Sequence, residues 1–164
     1  MEVKISSVSA SNTLPFILIA GPDSLESLEH ALHMASSIKK IADEVGVPYI
    51  FKASYDKANR TSVESFRGVG LQKGMQIFSE IQKQLNIPVT TDVHSPEEAL
   101  EAGKVVDLIQ IPALLSRQTD LLVAAGKTKK PVNIKKGQFI APHNVDNLIK
   151  KVASTGNDQI LVTE

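Results

Sequence analysis

The sequence predicts an α/β fold, a (β/α)8 TIM barrel of which about six strands and five helices are present. Three observations predict it. Strand-like and helix-like segments alternate with a period of roughly 25 to 40 residues. The strands are near-continuous apolar runs, the pattern of a parallel sheet buried on both faces. Polar and charged residues gather where strands end, the face on which a barrel builds its site. An open doubly wound sheet fits the alternation as well. However, no strand is followed by a glycine-rich dinucleotide fingerprint, and the glycines of "GVGLQKG", Gly68 to Gly74, follow a long loop rather than a strand.

The elements follow in order. Phe16 to Gly21 reads as a first short strand. Apolar residues recur from Leu25 at Leu28, Leu32, Ala35, Ile38, Ile41, Ala42 and Val45, one face of a helix that Gly46 and Pro48 stop. "YIFKAS" is the second strand. After a polar loop, Leu71, Met75, Phe78, Ile81 and Leu85 mark the second helix. "VTTDV", Val89 to Val93, is the third strand. Ser95, Pro96 and Glu98 then open a short helix, with Ser95 as cap and Glu98 closing a capping box. "DLIQIP", Asp107 to Pro112, is the fourth strand, followed by a helix from about Ser116 to Ala125. "PVNIKK" is the fifth strand. Val145, Leu148, Ile149 and Val152 share a face of the fifth helix, which Gly156 ends before "QILVTE", the sixth strand. The whole chain, 1–164, is expected to be one incomplete barrel domain with 1–15 as an N-terminal extension. Closing eight strands would take two further β-α units, roughly 100 residues.

Composition narrows the function classes. Hydrophobic residues make up 42% and charged residues 22%, a globular balance. Lys plus Arg and Asp plus Glu are 18 each, which argues against a nucleic-acid binder working by bulk charge. Cysteine is absent, which excludes disulfides, a thiolate nucleophile and Cys-ligated zinc, and fits a reducing compartment. The apolar run "LPFILIAG" is too short to span a bilayer. Cleavage there as a signal peptide would break the regular pattern that follows, so it is read as part of the first strand.

The chemistry sits at the strand ends. Lys52 and Ser54 end the second strand, Asp92 and His94 the third, and Lys135 and Lys136 the fifth, while Gln110 lies on the fourth. Lys57, Asn59 and Arg60 follow in the loop. Cations in a dry barrel mouth are costly unless paired or ligand-bound. Asp92 alone does not neutralise Lys52, Lys57, Arg60 and Lys135, so the expected ligand carries phosphate, carboxylate or both. The loop cations also fit a solvated surface. Lys136 points opposite to Lys135 and reads as structural. Lys127 to Lys130 read as a solvated helix end, and His30, His33 and Asp120 as surface or packing residues. Asp92 and His94 share a strand face, one for the site and the other for its rim. Asp23, after "AGP", either caps the first helix in a box with Glu26 or faces the mouth as a polar contact or a metal ligand, its carboxylate suiting a hard divalent ion such as Mg or Mn.

"FKASYDKANRTS", "SFRGVGLQKGM", "TDVH", "DLIQIPALLSRQTDLL" and "VNIKKGQF" together resemble the 3-deoxy-D-manno-octulosonate 8-phosphate synthases, in order and spacing, from about Leu14 to Glu164. The related 3-deoxy-heptulosonate phosphate synthases are similar in fold but read closer to K-P-R-T-S where this chain has "KANRTS". The resemblance implies a homotetrameric cytoplasmic barrel enzyme of lipopolysaccharide core biosynthesis that condenses phosphoenolpyruvate with arabinose 5-phosphate and releases phosphate. It implies that Lys52 and Ser54 hold phosphoenolpyruvate, that Gln110 and Ala113 line its pocket, and that Lys135 contacts its phosphate. It places Lys57 between the two substrates and Asp92 near the sugar hydroxyls, with Lys57, Asp92 and Lys135 as the catalytic set. Asn59 should contact the sugar, and Arg60 and Thr61 the sugar phosphate across a subunit boundary. Members carry Cys at the Asp23 position when metal-dependent and Asn when not; Asp is neither, so a divalent metal stays open. Further family residues, an Arg, a His, a Glu and an Asp, are expected beyond Glu164, and the fragment alone is expected to be inactive. A Schiff-base aldolase on the same barrel, or a binding or subunit-interaction module, are the competing readings.

Overall fold

The computed structural model describes residues 2–164 and contains eight strands and five α-helices among them. The six expected strands form one parallel sheet in sequential order: β3 (Leu18–Ala20), β4 (Tyr49–Lys52), β5 (Val89–Asp92), β6 (Leu108–Ile111), β7 (Val132–Lys135) and β8 (Ile160–Thr163). The helices α1 (Leu28–Val45), α2 (Leu71–Leu85), α3 (Pro96–Ala102), α4 (Thr119–Lys127) and α5 (Val145–Ala153) connect successive strands. This is the β/α arrangement of a barrel wall, and its sequential strand order excludes the doubly wound alternative.

Register assigns each strand two faces, because side chains alternate along a strand. Tyr49, Phe51, Ile109, Ile111, Val132 and Ile134 pack outward against the helices, with Ala31, Ala35 and Ala42 letting α1 approach closely. Phe51 meets Phe78 of α2 edge-on, with ring centroids 6.3 Å apart. The other face carries Ile19, Ile50, Leu108 and Leu161 low on their strands. Ile19 lies on the first strand of the sheet and Leu161 on the last, yet both join one cluster. The sheet is therefore curled, with those residues inside.

What holds that cluster closed is a hairpin. Residues of the expected N-terminal extension form β1 (Val3–Ile5) and β2 (Val8–Ala10), paired antiparallel. Val3, Ile5 and Val8 are buried against Ile50 and Leu108 and plug the amino-terminal end of the curled sheet. The Lys4 amide donates to Gln159 Oε1 just before β8, at 2.8 Å. With one end sealed by apolar residues, the opposite end is the mouth.

Two boundaries differ from expectation. The first helix starts at Leu28, not Leu25, because Ser24 bridges Ser54 in parallel fashion and the Leu25 amide donates to the Ser54 carbonyl at 2.9 Å. This extends the strand-like path and buries Leu25. The fourth helix starts at Thr119, because Ala113–Leu115 form a 3-10 turn that Ser116 ends.

Candidate functional site

The interior face changes character along its length. Ile50 is followed inward by Lys52 and Ser54, Thr90 by Asp92 and His94, Leu108 by Gln110, Asn133 by Lys135. Each strand thus carries apolar or small residues at its base and ionic or amide groups at its carboxyl end. Asp92 lies beside Gln110 in register, and Gln110 beside Asn133. The result is a cavity of about 560 Å³ at the carboxyl ends of the strands, where barrels place their sites.

The cavity is lined by eight of the residues expected from sequence. Lys52, Ser54, Lys57 and Asn59 come from β4 and its loop; Asp92, Gln110, Ala113 and Lys135 come from the next three strands and their turns. His94, Pro112, Leu114 and Leu115 complete much of the wall. Arg60 and Thr61 are exposed on the loop outside the lining, and Asp23 lies outside it too.

Asp92 is the hub. Its Oδ1 accepts from Lys52 Nζ at 3.0 Å and from Ser54 Oγ at 2.5 Å. Lys52 Nζ also donates to Ser54 Oγ at 3.2 Å. His94 Nε2 reaches Asp92 Oδ2 at 3.3 Å. Burial opposes ionisation of Asp92, but the His94, Lys52 and Ser54 contacts outweigh it and hold its carboxyl well below the usual range. Burial lowers the pKa of Lys52, and Asp92 offsets part of that fall.

Of Asp92 and His94 the sequence places one in the site and the other at its rim; both line the cavity. The second nitrogen of His94, Nδ1, faces Glu98 Oε2 at 3.2 Å. Glu98 was expected to close a capping box on the Ser95 amide. It accepts instead from the His94 amide at 2.8 Å and from the Tyr55 hydroxyl at 2.7 Å. Ser95 does cap α3, accepting from the Glu98 amide. The period-two spacing of Asp92 and His94 was the available signal; the Tyr55–Glu98 bond joins residues 43 apart and had none.

Carboxylates on both sides of the imidazole favour its doubly protonated form. Burial lowers the His94 pKa, but the Asp92 hydrogen bond and the charges of Asp92 and Glu98 raise it further, so the net direction is up. His94 in the folded chain should therefore titrate above its ordinary value of about 6.5. Its contribution to stability is full below about pH 6.5 and fades as pH rises through the raised folded value. Imidazole NMR titration checks this: Asp92→Asn should move the midpoint down. A His94 midpoint at or below about 6.5 in the unsubstituted chain contradicts the network.

Asp23 does not cap the first helix. Ser27 does, accepting from the His30 amide at 3.1 Å. The Ser24–Ser54 bridge shifts the helix start, and the Asp23 carboxylate turns to two cations instead. Its Oδ1 lies 2.6 Å from Lys57 Nζ and its Oδ2 accepts from Arg60 Nη2 at 3.1 Å. The hydrogen bond from Lys57 lowers the Asp23 pKa. The loop bearing these cations is stapled by Arg67, whose Nε donates to Asp56 Oδ1 at 2.8 Å and whose Nη2 donates to Oδ2 at 2.5 Å. The Lys57 amide donates to the Arg67 carbonyl at 2.6 Å.

Both carboxylate oxygens of Asp23 face cations, and among the described residues no group of three His, Cys, Asp or Glu is arranged to hold a metal ion. The charge count also changes from the sequence reading, which set Asp92 alone against four cations. Lys52, Lys57 and Arg60 are paired, by two carboxylates between them. No carboxylate among the described residues lies within ion-pair range of Lys135, which is exposed at the mouth. Lys136 points away, as expected. It contacts the Gly137 and Ile140 carbonyls and pairs with Glu164.

The fold and site define a β/α-barrel protein with a net cationic cavity at the carboxyl ends of its strands. The chain belongs to the DAHP synthetase I family, whose pattern it matches over residues 1–164. Among curated relatives it is 52% identical over 162 residues to a protein of Bartonella quintana named 2-dehydro-3-deoxyphosphooctonate aldolase, covering 99% of this chain and 58% of that protein. Proteins of the same name from Brucella anthropi and Rickettsia bellii are each 49% identical, over 99% of this chain and 59% of theirs. The chain thus spans 58% to 59% of the length of these relatives.

Proposed function

We propose that this chain supplies part of the site of an enzyme that condenses phosphoenolpyruvate with arabinose 5-phosphate to give 3-deoxy-D-manno-octulosonate 8-phosphate and inorganic phosphate. The observation that carries this reading is the convergence of Lys52, Lys57 and Lys135 on one cavity with Asp92 at its centre. A cavity of about 560 Å³ has room for two small phosphorylated metabolites. The names of the relatives point to the same product class.

In the reaction, the methylene carbon of phosphoenolpyruvate bonds to the sugar aldehyde carbon, whose oxygen takes up a proton. Water adds to the neighbouring enol carbon and gives up a proton, and the C–O bond to phosphate breaks with phosphate leaving. Lys135 and Lys52 are placed to hold the phosphate and carboxylate of phosphoenolpyruvate, fixed before charge shifts onto the leaving group. Ser54 and Asp92 fix the Lys52 ammonium. Gln110 and Ala113 line the same pocket. Lys57 and Asn59, from the loop, reach the junction of the two substrates, and Asp92 offers its carboxylate to the sugar side. Holding both carbons in line supplies much of the rate gain.

Arg60 and Thr61 are assigned to the sugar phosphate. They lie on the outer part of the loop, beside Val63 at 91% exposure and Phe66 at 55%. Apolar side chains so exposed there support a subunit boundary at this loop and, with the resemblance, a homotetramer. Placement in the cytoplasm and in lipopolysaccharide core biosynthesis follows from the same assignment. No helix among the described residues is long and apolar enough to cross a membrane.

A Schiff-base aldolase is the second reading, favoured by the burial that lowers the Lys52 pKa. The Asp92 pairing argues against it, because it stabilises the ammonium that would have to deprotonate. Borohydride reduction in the presence of phosphoenolpyruvate and the sugar phosphate separates the two. The condensation is expected to release phosphate and leave the protein mass unchanged. A lysine adduct would establish the aldolase and refute the proposal.

A further inference from the structure

The turn that carries Asp23 is fixed at its base. Ser24 bridges Ser54, the Leu25 amide donates to the Ser54 carbonyl, and Leu25 is fully buried. The carboxylate above it is not: the Asp23 side chain is 65% exposed. It grips two cations that come from a different segment, the loop after β4. Lys57 lines the cavity, while Arg60 and Asp23 lie outside the lining. Asp23 therefore spans from the rim to the wall of the site, holding one cation at each place.

Arg60 is only partly engaged. Nη2 binds Asp23 and Nε binds the Phe66 carbonyl at 3.3 Å. A guanidinium has five N–H donors, so the remainder stay available for a phosphate or carboxylate. The Lys57 ammonium likewise has donors left beyond its contact with Asp23. The strength of the Asp23 contacts decides what they are for. An ion pair to so exposed a carboxylate contributes little net stability and exchanges readily. A structural staple would be buried, as Asp92 is.

We propose that Asp23 is a positioning residue, an internal counter-anion that holds Lys57 and Arg60 at the mouth and yields them to the anionic group of an incoming substrate. The inference rests on the anionic substrates of the proposed function. In the substrate-free chain the two cations stay ordered and the loop stays tethered to the turn after β3. When the anion arrives, it takes the donors that the carboxylate held. Asp23 then lowers the affinity of the site for anions while presetting the geometry in which they bind.

Inorganic phosphate tests this without any turnover, so the result stands apart from whether the condensation occurs. Titration calorimetry compares the protein with its Asp23→Asn, Asp23→Glu and Glu26→Gln variants. Asp23→Asn should bind phosphate about 3- to 10-fold more tightly at low salt, with the gain shrinking as salt rises. Asp23→Glu keeps a carboxylate and should stay near the unsubstituted affinity. Glu26 is exposed on the same turn with no cation partner among the described residues, so Glu26→Gln should change little. In turnover, Asp23→Asn should lower kcat without raising KM for the sugar phosphate. Unchanged or weaker phosphate binding by Asp23→Asn overturns the proposal, as does equal tightening by Glu26→Gln. A stoichiometric divalent metal in the protein that Asp23→Asn loses, by elemental analysis, also overturns it.

Discussion

Replacing Asp92 with alanine is expected to lower kcat by on the order of 100- to 1000-fold and stability by about 3 kcal/mol. The residue is 9% exposed and is the common acceptor for Lys52, Ser54 and His94. Without it the Lys52 ammonium stays in a largely buried position with a hydroxyl as its remaining partner, and removing one member of such a pair is costly. Asp92→Asn keeps the shape and one acceptor, so it should unfold at higher urea than Asp92→Ala while losing comparable activity. That split distinguishes a site carboxylate from a packing residue. The linkage has a sign. Because the folded pKa of Asp92 is depressed, its contribution is present above about pH 4 and is lost as pH falls through the folded value. Urea midpoints of the unsubstituted chain and Asp92→Asn should therefore converge toward acid. Parallel midpoints across that range would contradict the assigned charge state.

Gly21→Ala is the second large effect, about 3 kcal/mol of destabilisation. Here no positive φ is involved; the reason is the close approach of two backbones. A Cβ at Gly21 would lie 2.0 Å from the Lys52 carbonyl oxygen and 3.2 Å from the Phe51 ring. The obstacle at 2.0 Å is main chain, so no rotamer change relieves it. β3 and β4 would have to separate at the mouth, carrying Lys52 away from Asp92. Gly46→Ala is the contrast: nothing lies within 4 Å of the added Cβ, and the cost, about 1 kcal/mol, comes from its φ of 69° alone. Urea unfolding of both variants, with phosphate titration alongside, checks the pair. Gly21→Ala should lose stability and anion affinity together, and Gly46→Ala only stability. Equal, small losses would mean that the strand contact does not tune the site.

The parallel sheet was legible because its strands are short apolar runs, and four of the six, β4, β5, β7 and β8, end in a polar residue. The same period of two that put Ile50, Lys52 and Ser54 on one face also placed Asp92 and Gln110 beside them. The hairpin at Val3–Ala10 was not read as structure. Its apolar residues alternate, but the turn between its strands is Ser6-Ser7, without a turn glycine or asparagine, and Ser6 adopts a φ of 52° that serine rarely signals. Asp23 and Glu26 have the spacing of a capping box, which is a local rule. A tertiary bridge from Ser24 to Ser54 overrode it, and Asp23 found partners 34 and 37 residues away. Glu98 failed as a box residue for a similar reason, since Tyr55 and His94 compete for it. Local motifs located the right residues in these cases but assigned them the wrong partners.

In the proposed reaction this cavity joins phosphoenolpyruvate to a five-carbon sugar phosphate. The key measurement is initial-rate phosphate release from phosphoenolpyruvate by the protein at the full length of its curated relatives, with arabinose 5-phosphate, with erythrose 4-phosphate, and with neither. Release is expected to require an aldose phosphate and to be at least about 10-fold more efficient, in kcat/KM, with arabinose 5-phosphate. Equal efficiency with erythrose 4-phosphate, or release that needs no sugar, would rule out the proposed reaction.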